Sequence, residues 1–244
     1  MTDKDSMQMG AENMLATFGN SIEERIKNEL GGTPSGKHAD VAEIKNLAGE
    51  TTGHVNVYDA DKLDKAACLS IDIMPGARYF NIHVIPESRY NIPRFLLEGM
   101  LSTHGSQIST DILPDIDMAM NIIALKEQCV GVEAVFNDAK QGDIVFEPSR
   151  QTHMRTFCSP FFLCTFGMPA DQMEQMDAIA NRYFDEWLKL YNNAVELDQV
   201  TADERQARRA HMARMVVELD PDRNMVVQVY GEETVLAIEA AVMI

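Results

Sequence analysis

The chain has 244 residues, 45% hydrophobic and 24% charged, which is the usage of a globular protein with a substantial core and excludes disordered and fibrous architectures. Acidic residues outnumber basic ones 38 to 21, for a formal charge of −17, so the surface repels phosphate backbones and anionic lipid heads, and nucleic acid and membranes are excluded as partners. No stretch approaches the ~20 apolar residues of a membrane-spanning helix, and the opening residues, with Asp3, Lys4 and Asp5, read as neither a signal nor a transit peptide; the expected location is cytoplasmic, or plastid if a targeting segment was removed.

In chain order, Met14, Leu15, Phe18, Ile22 and Ile26 recur at near-helical spacing over residues 12–28, and Gly31, Gly32, Pro34 and Gly36 then break the pattern, which predicts one helix followed by a loop. From Gly53 to Gly167 the texture changes to short β-rich runs at 53–58, 67–73, 78–85, 95–100, 107–113 and 159–166, an expected sheet of about six strands. Pro75-Gly76 is a turn signal, and short linkers favour an antiparallel meander. The gap from Pro114 to Cys158 is expected to hold a helix at 115–128 and a loop at 136–152.

A long amphipathic helix follows, with Met173, Met176, Ile179, Ala180, Phe184, Trp187, Leu188 and Tyr191 in three- and four-residue steps. Two more helices are expected at 202–218, opened by a capping box of Thr201 and Glu204, and at 231–243. Asp220 before Pro221 marks a turn or N-cap between them. Helices on both faces of the sheet give the expected fold class, α/β: a three-layer α/β/α sandwich around a central, mostly antiparallel sheet of about six strands. One domain spans 1–244, with 1–50 as N-terminal helix plus loop.

Cys68, Cys129, Cys158 and Cys164 lack CxxC spacing, and the six histidines show neither HxxxH nor HExxH, so buried thiols are expected rather than disulfides or a zinc site. GxGxxG, Walker and GxSxG loops are missing. The informative strand is 95–100. Period-two alternation puts Leu96, Glu98 and Met100 on one face, so Glu98 sits between two large hydrophobes, where desolvation raises a carboxyl pKa and keeps a proton donor near neutral pH. The plain alternatives are a solvated face or an ion pair with Arg94 or Arg89. On the preceding strand Tyr79, Asn81 and His83 share a face, either lining a pocket or forming a surface-facing polar row.

These blocks, in their order, resemble the ferredoxin-dependent bilin reductase superfamily, including red chlorophyll catabolite reductases. The resemblance is carried by 82–98 (IHVIPESRYNIPRFLLE), by 107–114 (QISTDILP), by 157–167 (FCSPFFLCTFG) with the following helix bearing Tyr183, Phe184 and Trp187, and by 205–235. It implies a linear tetrapyrrole, a biliverdin-type bilin or chlorophyll catabolite, held between the sheet and the C-terminal helices with no bound cofactor. Reduced ferredoxin would supply single electrons, each coupled to protonation by a side chain.

Glu98 falls where bilin reductases carry a catalytic Asp and red chlorophyll catabolite reductases carry Glu. Asn81 falls where phycocyanobilin-forming enzymes carry His and several others Asn. Asp220 matches a C-terminal Asp used as a second donor, and a further family Glu near Leu69 or Ser70 is missing. The implied catalytic residues are therefore Glu98, Asp220 and Asn81, with His83, Met100, Ser109, Phe162, Arg208 and Arg223 against the substrate. Arg205, Arg208, Arg209 and Arg214 are candidates for a basic ferredoxin patch on an otherwise acidic surface, or for propionate ligands, although a solvated helix face is the expectation for most of them. The competing readings are a non-catalytic tetrapyrrole-binding protein on the same fold, and an unrelated α+β domain whose 16 methionines meet a partner protein.

Overall fold

The computed structural model describes residues 16–243. Its centre is one antiparallel sheet of eight strands. Five are long: β3 (Thr51–Asp59), β4 (Leu63–Met74), β5 (Ala77–Pro86), β6 (Arg94–Ser102) and β7 (Gln107–Leu113). They pair in sequence order as a meander, the arrangement that short connections permit. The tightest turn is Pro75-Gly76, where Gly76 has φ 77°, a left-handed conformation open to glycine without a Cβ penalty.

Three strands are only two residues long: β1 (Thr33–Pro34) and β2 (Ile44–Lys45), both on the outer edge of β3, and β8 (Leu163–Cys164) on β7. The expected loop after the first helix thus contributes two short edge strands. The expected strand 159–166 shrinks to β8 because Ser159 is tied to the side chain of Asp111 rather than to a ladder partner.

Seven helices lie among the described residues: α1 (Asn20–Glu29), α2 (Ile122–Gln128), α3 (Val130–Ala139), α4 (Met173–Asn192), α5 (Gln199–Leu219), α6 (Arg223–Tyr230) and α7 (Glu232–Val242). Residues 12–15 of the first expected helix lie outside the described residues. The single helix expected at 115–128 starts later, at Ile122, and continues as α3 over the start of the expected loop. Helix α6 is an addition. The capping box at Thr201 is not formed: the N-cap is Asp198, whose carboxylate accepts from the Thr201 amide at 3.1 Å.

Strand alternation divides the sheet's side chains between two apolar clusters. Phe80, Ile82, Val84, Phe95, Leu97, Ile108 and Ile112 join α1 and the buried stripe of α4. That stripe contains every position expected from the periodicity, with Tyr183 added. Phe95 meets Phe184 edge-on at 5.1 Å between centroids, and Trp187, fully buried, donates its indole N–H to the Pro93 carbonyl at 2.8 Å, the partner such a buried ring needs. On the opposite side Val55, Val57, Ala67, Leu69 and Ile71 pack with Tyr230, Val235, Ile238, Ala241 and Val242 of α6 and α7. Beyond β4 the second cluster reaches only Tyr79 on β5, and the same face of β5 to β7 carries the polar side chains Asn81, His83, Glu98 and Ser109 between Leu96 and Met100.

Candidate active site

Antiparallel register aligns one row across that face: Leu69 on β4, Asn81 on β5, Glu98 on β6, Ser109 on β7 and Cys164 on β8. Glu98 is half-buried and flanked by Leu96 and Met100 as alternation requires. Asn81 is buried and donates through Nδ2 to Glu98 Oε2 at 3.1 Å; the Tyr79 hydroxyl donates to the same oxygen at 3.5 Å. No basic group among the described residues pairs with Glu98, because Arg94 is engaged by Asp115 and Arg89 by Glu87 and Glu196.

Burial pushes the Glu98 carboxyl above the ordinary carboxylate range. Hydrogen bonds from Asn81, Tyr79 and Ser109 pull the other way, and the negative charge of Asp220 adds to the rise. Tyr79 is held protonated by burial and by the charge of Glu98. Asp220 is exposed at the end of α5, where its Oδ1 accepts from the Asp222 amide at 2.9 Å in the expected turn. Its charge reaches both Glu98 and Tyr79. Among the described residues Asn81 Oδ1 is buried without a hydrogen-bond partner, a costly state for an acceptor that an N–H donor above the sheet would relieve.

The other sequence-selected residues divide into two groups. Met100, Ser109 and Phe162 lie on or beside the Glu98 face: Met100 is 38% exposed, Ser109 is buried opposite Glu98, and Phe162 is half-buried next to β8. His83, Arg208 and Arg223 are engaged elsewhere. His83 is buried, with Nδ1 3.0 Å from the Val242 carbonyl and Nε2 3.2 Å from the Arg94 guanidinium. Burial and then Arg94 depress its pKa to about 3, so Nδ1 donates to Val242 and Nε2 accepts from Arg94. Arg223 pairs with Glu239 and Glu232. Arg208 lies 4.0 Å from Asp117 at the rim of a cleft of about 230 Å³ walled by Leu113, Pro114, Met118, Phe157 and Met212.

Two of the four arginines expected on a solvated helix face are buried instead. Arg209 Nε donates to Asp115 at 3.1 Å and its Nη1 to the Pro86 carbonyl at 2.6 Å, while Arg205 donates to the Ile92 carbonyl at 2.7 Å. Asp115 also receives two donors of Arg94, at 2.9 and 2.5 Å. Burial alone would raise the Asp115 pKa, but Arg94 and Arg209 outweigh it and hold the carboxylate ionised. This cluster, at the Pro86 end of the sheet, has no local sequence signal.

Further along β7, opposite Leu96, Asp111 is fully buried and pushed up to about 6 by desolvation, against hydrogen bonds from Ser159 and Ile112. The thiols of Cys158 and Cys164 are pushed up to about 12, chiefly by burial. Of the four cysteines only Cys158 is part-exposed and none is bonded to another.

No family model and no curated protein matches the sequence. Among solved structures, the crystal structure of phytochromobilin synthase from tomato in complex with biliverdin matches with a TM-score of 0.75 at 15% identity, over 88% of this chain and 77% of that one. The chain is thus similar in fold to phytochromobilin synthase.

Proposed function

We propose that the protein is a ferredoxin-dependent reductase of a linear tetrapyrrole, a biliverdin-type bilin or chlorophyll catabolite, acting by proton-coupled single-electron transfers. The observation that carries this reading is Glu98: a desolvated carboxyl that, among the described residues, has no cationic partner and is braced by Asn81 and Tyr79 beside an unpartnered acceptor, on the sheet face toward the C-terminal helices. A tetrapyrrole brings the pyrrole N–H donors that Asn81 Oδ1 lacks. The fold similarity to a protein that holds biliverdin adds support.

In this reading Glu98 is the first proton donor, Asp220 the second, and Asn81 orients both substrate and acid. A raised carboxyl pKa keeps the proton available at neutral pH until an electron makes the pigment basic enough to take it. Met100, Ser109 and Phe162 form the sheet side of the site. His83 acts as a neutral spacer between Arg94 and the end of α7. Arg208 and Arg223 meet the substrate carboxylates by exchanging their present acidic partners. The architecture proposed is one domain over 1–244 with helical layers on both faces of the sheet.

The competing reading, a tetrapyrrole-binding protein without catalysis, draws on Leu69, which stands in the Asn81–Glu98 row near where the resembling family carries a further Glu and is packed into the C-terminal cluster. One experiment separates them. Both readings expect a visible absorbance shift on adding biliverdin. Only the reductase moves or bleaches the bands anaerobically under a ferredoxin-regenerating system, and E98Q is expected to bind pigment and stop or divert that change.

A further inference from the structure

Two donors converge on one oxygen of Glu98: Asn81 Nδ2 at 3.1 Å and the Tyr79 hydroxyl at 3.5 Å both donate to Oε2. An oxygen that already accepts from an amide and a phenol has used both in-plane lone pairs and is a poor place for a proton of its own. Ser109, on the β7 side, can donate or accept and does not fix the proton's place. We propose that Tyr79 is a positioning residue that, with Asn81, keeps the transferable proton of Glu98 on Oε1; this rests on the reading of Glu98 as proton donor. The phenol ring packs against the cluster formed by β3, β4, α6 and α7, so the C-terminal helices set where the hydroxyl stands and, through it, which carboxyl oxygen is free.

The step balances simply. After the pigment has taken one electron from ferredoxin, the Oε1–H bond breaks, the proton passes to the pigment radical, and the negative charge stays on the Glu98 carboxylate. There the Tyr79 O–H and Asn81 N–H bonds to Oε2 strengthen, as bonds to an ionised acceptor do. The other ionisable groups facing Glu98 are Asp220 from the end of α5 and the thiols of Cys158 and Cys164 near β8. Burial holds both thiols protonated at neutral pH.

The test is an infrared pH titration of the protonated-carboxyl band that disappears in E98Q. Tyr79→Phe, which removes one oxygen, is expected to move the Glu98 midpoint upward. Replacing Tyr79 with 3,5-difluorotyrosine, a stronger donor of the same shape, is expected to move it downward. In turnover, Y79F is expected to lower kcat about tenfold, the equivalent of one charge-assisted hydrogen bond, with KM unchanged and the alkaline limb of the pH profile moved up with the infrared midpoint. A midpoint unmoved in both variants overturns the proposal. The titration needs no substrate, so it decides the role of Tyr79 even where an active E98Q removes Glu98 from the reaction.

Discussion

Asp115→Asn isolates the value of a buried charge at the end of the sheet. Asp115 has φ 53°, a left-handed conformation that Asn also tolerates, so the substitution keeps backbone and shape and removes only the charge. It leaves Arg94 and Arg209, both nearly inaccessible to solvent, without a carboxylate, with Arg205 close by. Removing one partner of a buried ion pair costs about 3–5 kcal/mol, and at about 2–4 °C per kcal/mol for a domain of this size the melting temperature should fall by roughly 6–20 °C. The pH dependence gives a second readout. The folded Asp115 pKa lies below the unfolded one, so its stabilisation is complete above the unfolded value of about 3.9 and is lost as the pH falls through the folded value. Urea and thermal unfolding followed by circular dichroism should therefore show a wide gap between wild type and D115N at pH 7 that closes in strong acid. A gap below about 1 kcal/mol at pH 7 would refute the view that this carboxylate compensates the arginines.

His83 is held neutral down to about pH 3 against 6.5 in the unfolded chain, so the unfolded state takes up a proton first and wild-type stability falls as the pH drops from 6.5 toward 3; H83Q should flatten that stretch of the melting profile, and an unchanged slope would contradict it. A Cβ on Gly99 would overlap the Gln107 carbonyl oxygen on the neighbouring strand, so G99A should cost about 1–3 kcal/mol and, under the proposed function, weaken biliverdin binding in an absorbance titration by spreading β6 from β7. Trp187→Ala, which empties the fully buried centre of α4 and strands the Pro93 carbonyl, should cost about 3–5 kcal/mol in urea unfolding, and a loss under about 1 kcal/mol would show that this buried indole is dispensable.

Periodicity is a local property, so whatever depends on it is legible in the order of residues. The stripe of α4 could be read residue by residue because a helix buries one side regardless of its neighbour. The placement of Glu98 with Leu96 and Met100 could be read because a strand alternates whatever lies above it. The hairpin at Pro75-Gly76 was legible because Gly76 supplies the left-handed turn.

How the charges are used depends on contacts between distant parts of the chain. Arg205 and Arg209 sit on a helix whose sequence resembles a solvated one, yet they are buried because Asp115 and the carbonyls of Pro86 and Ile92 come to them from 94 to 123 residues away. His83, on the same strand face as Asn81, is enclosed because the end of α7 crosses over it, 159 residues later. Tyr79 joins Glu98 through a register set by strand pairing, not by spacing along the chain. A side chain's face follows from the backbone period within a few residues, whereas the cost of burying a charge is settled by whichever distant group arrives to meet it.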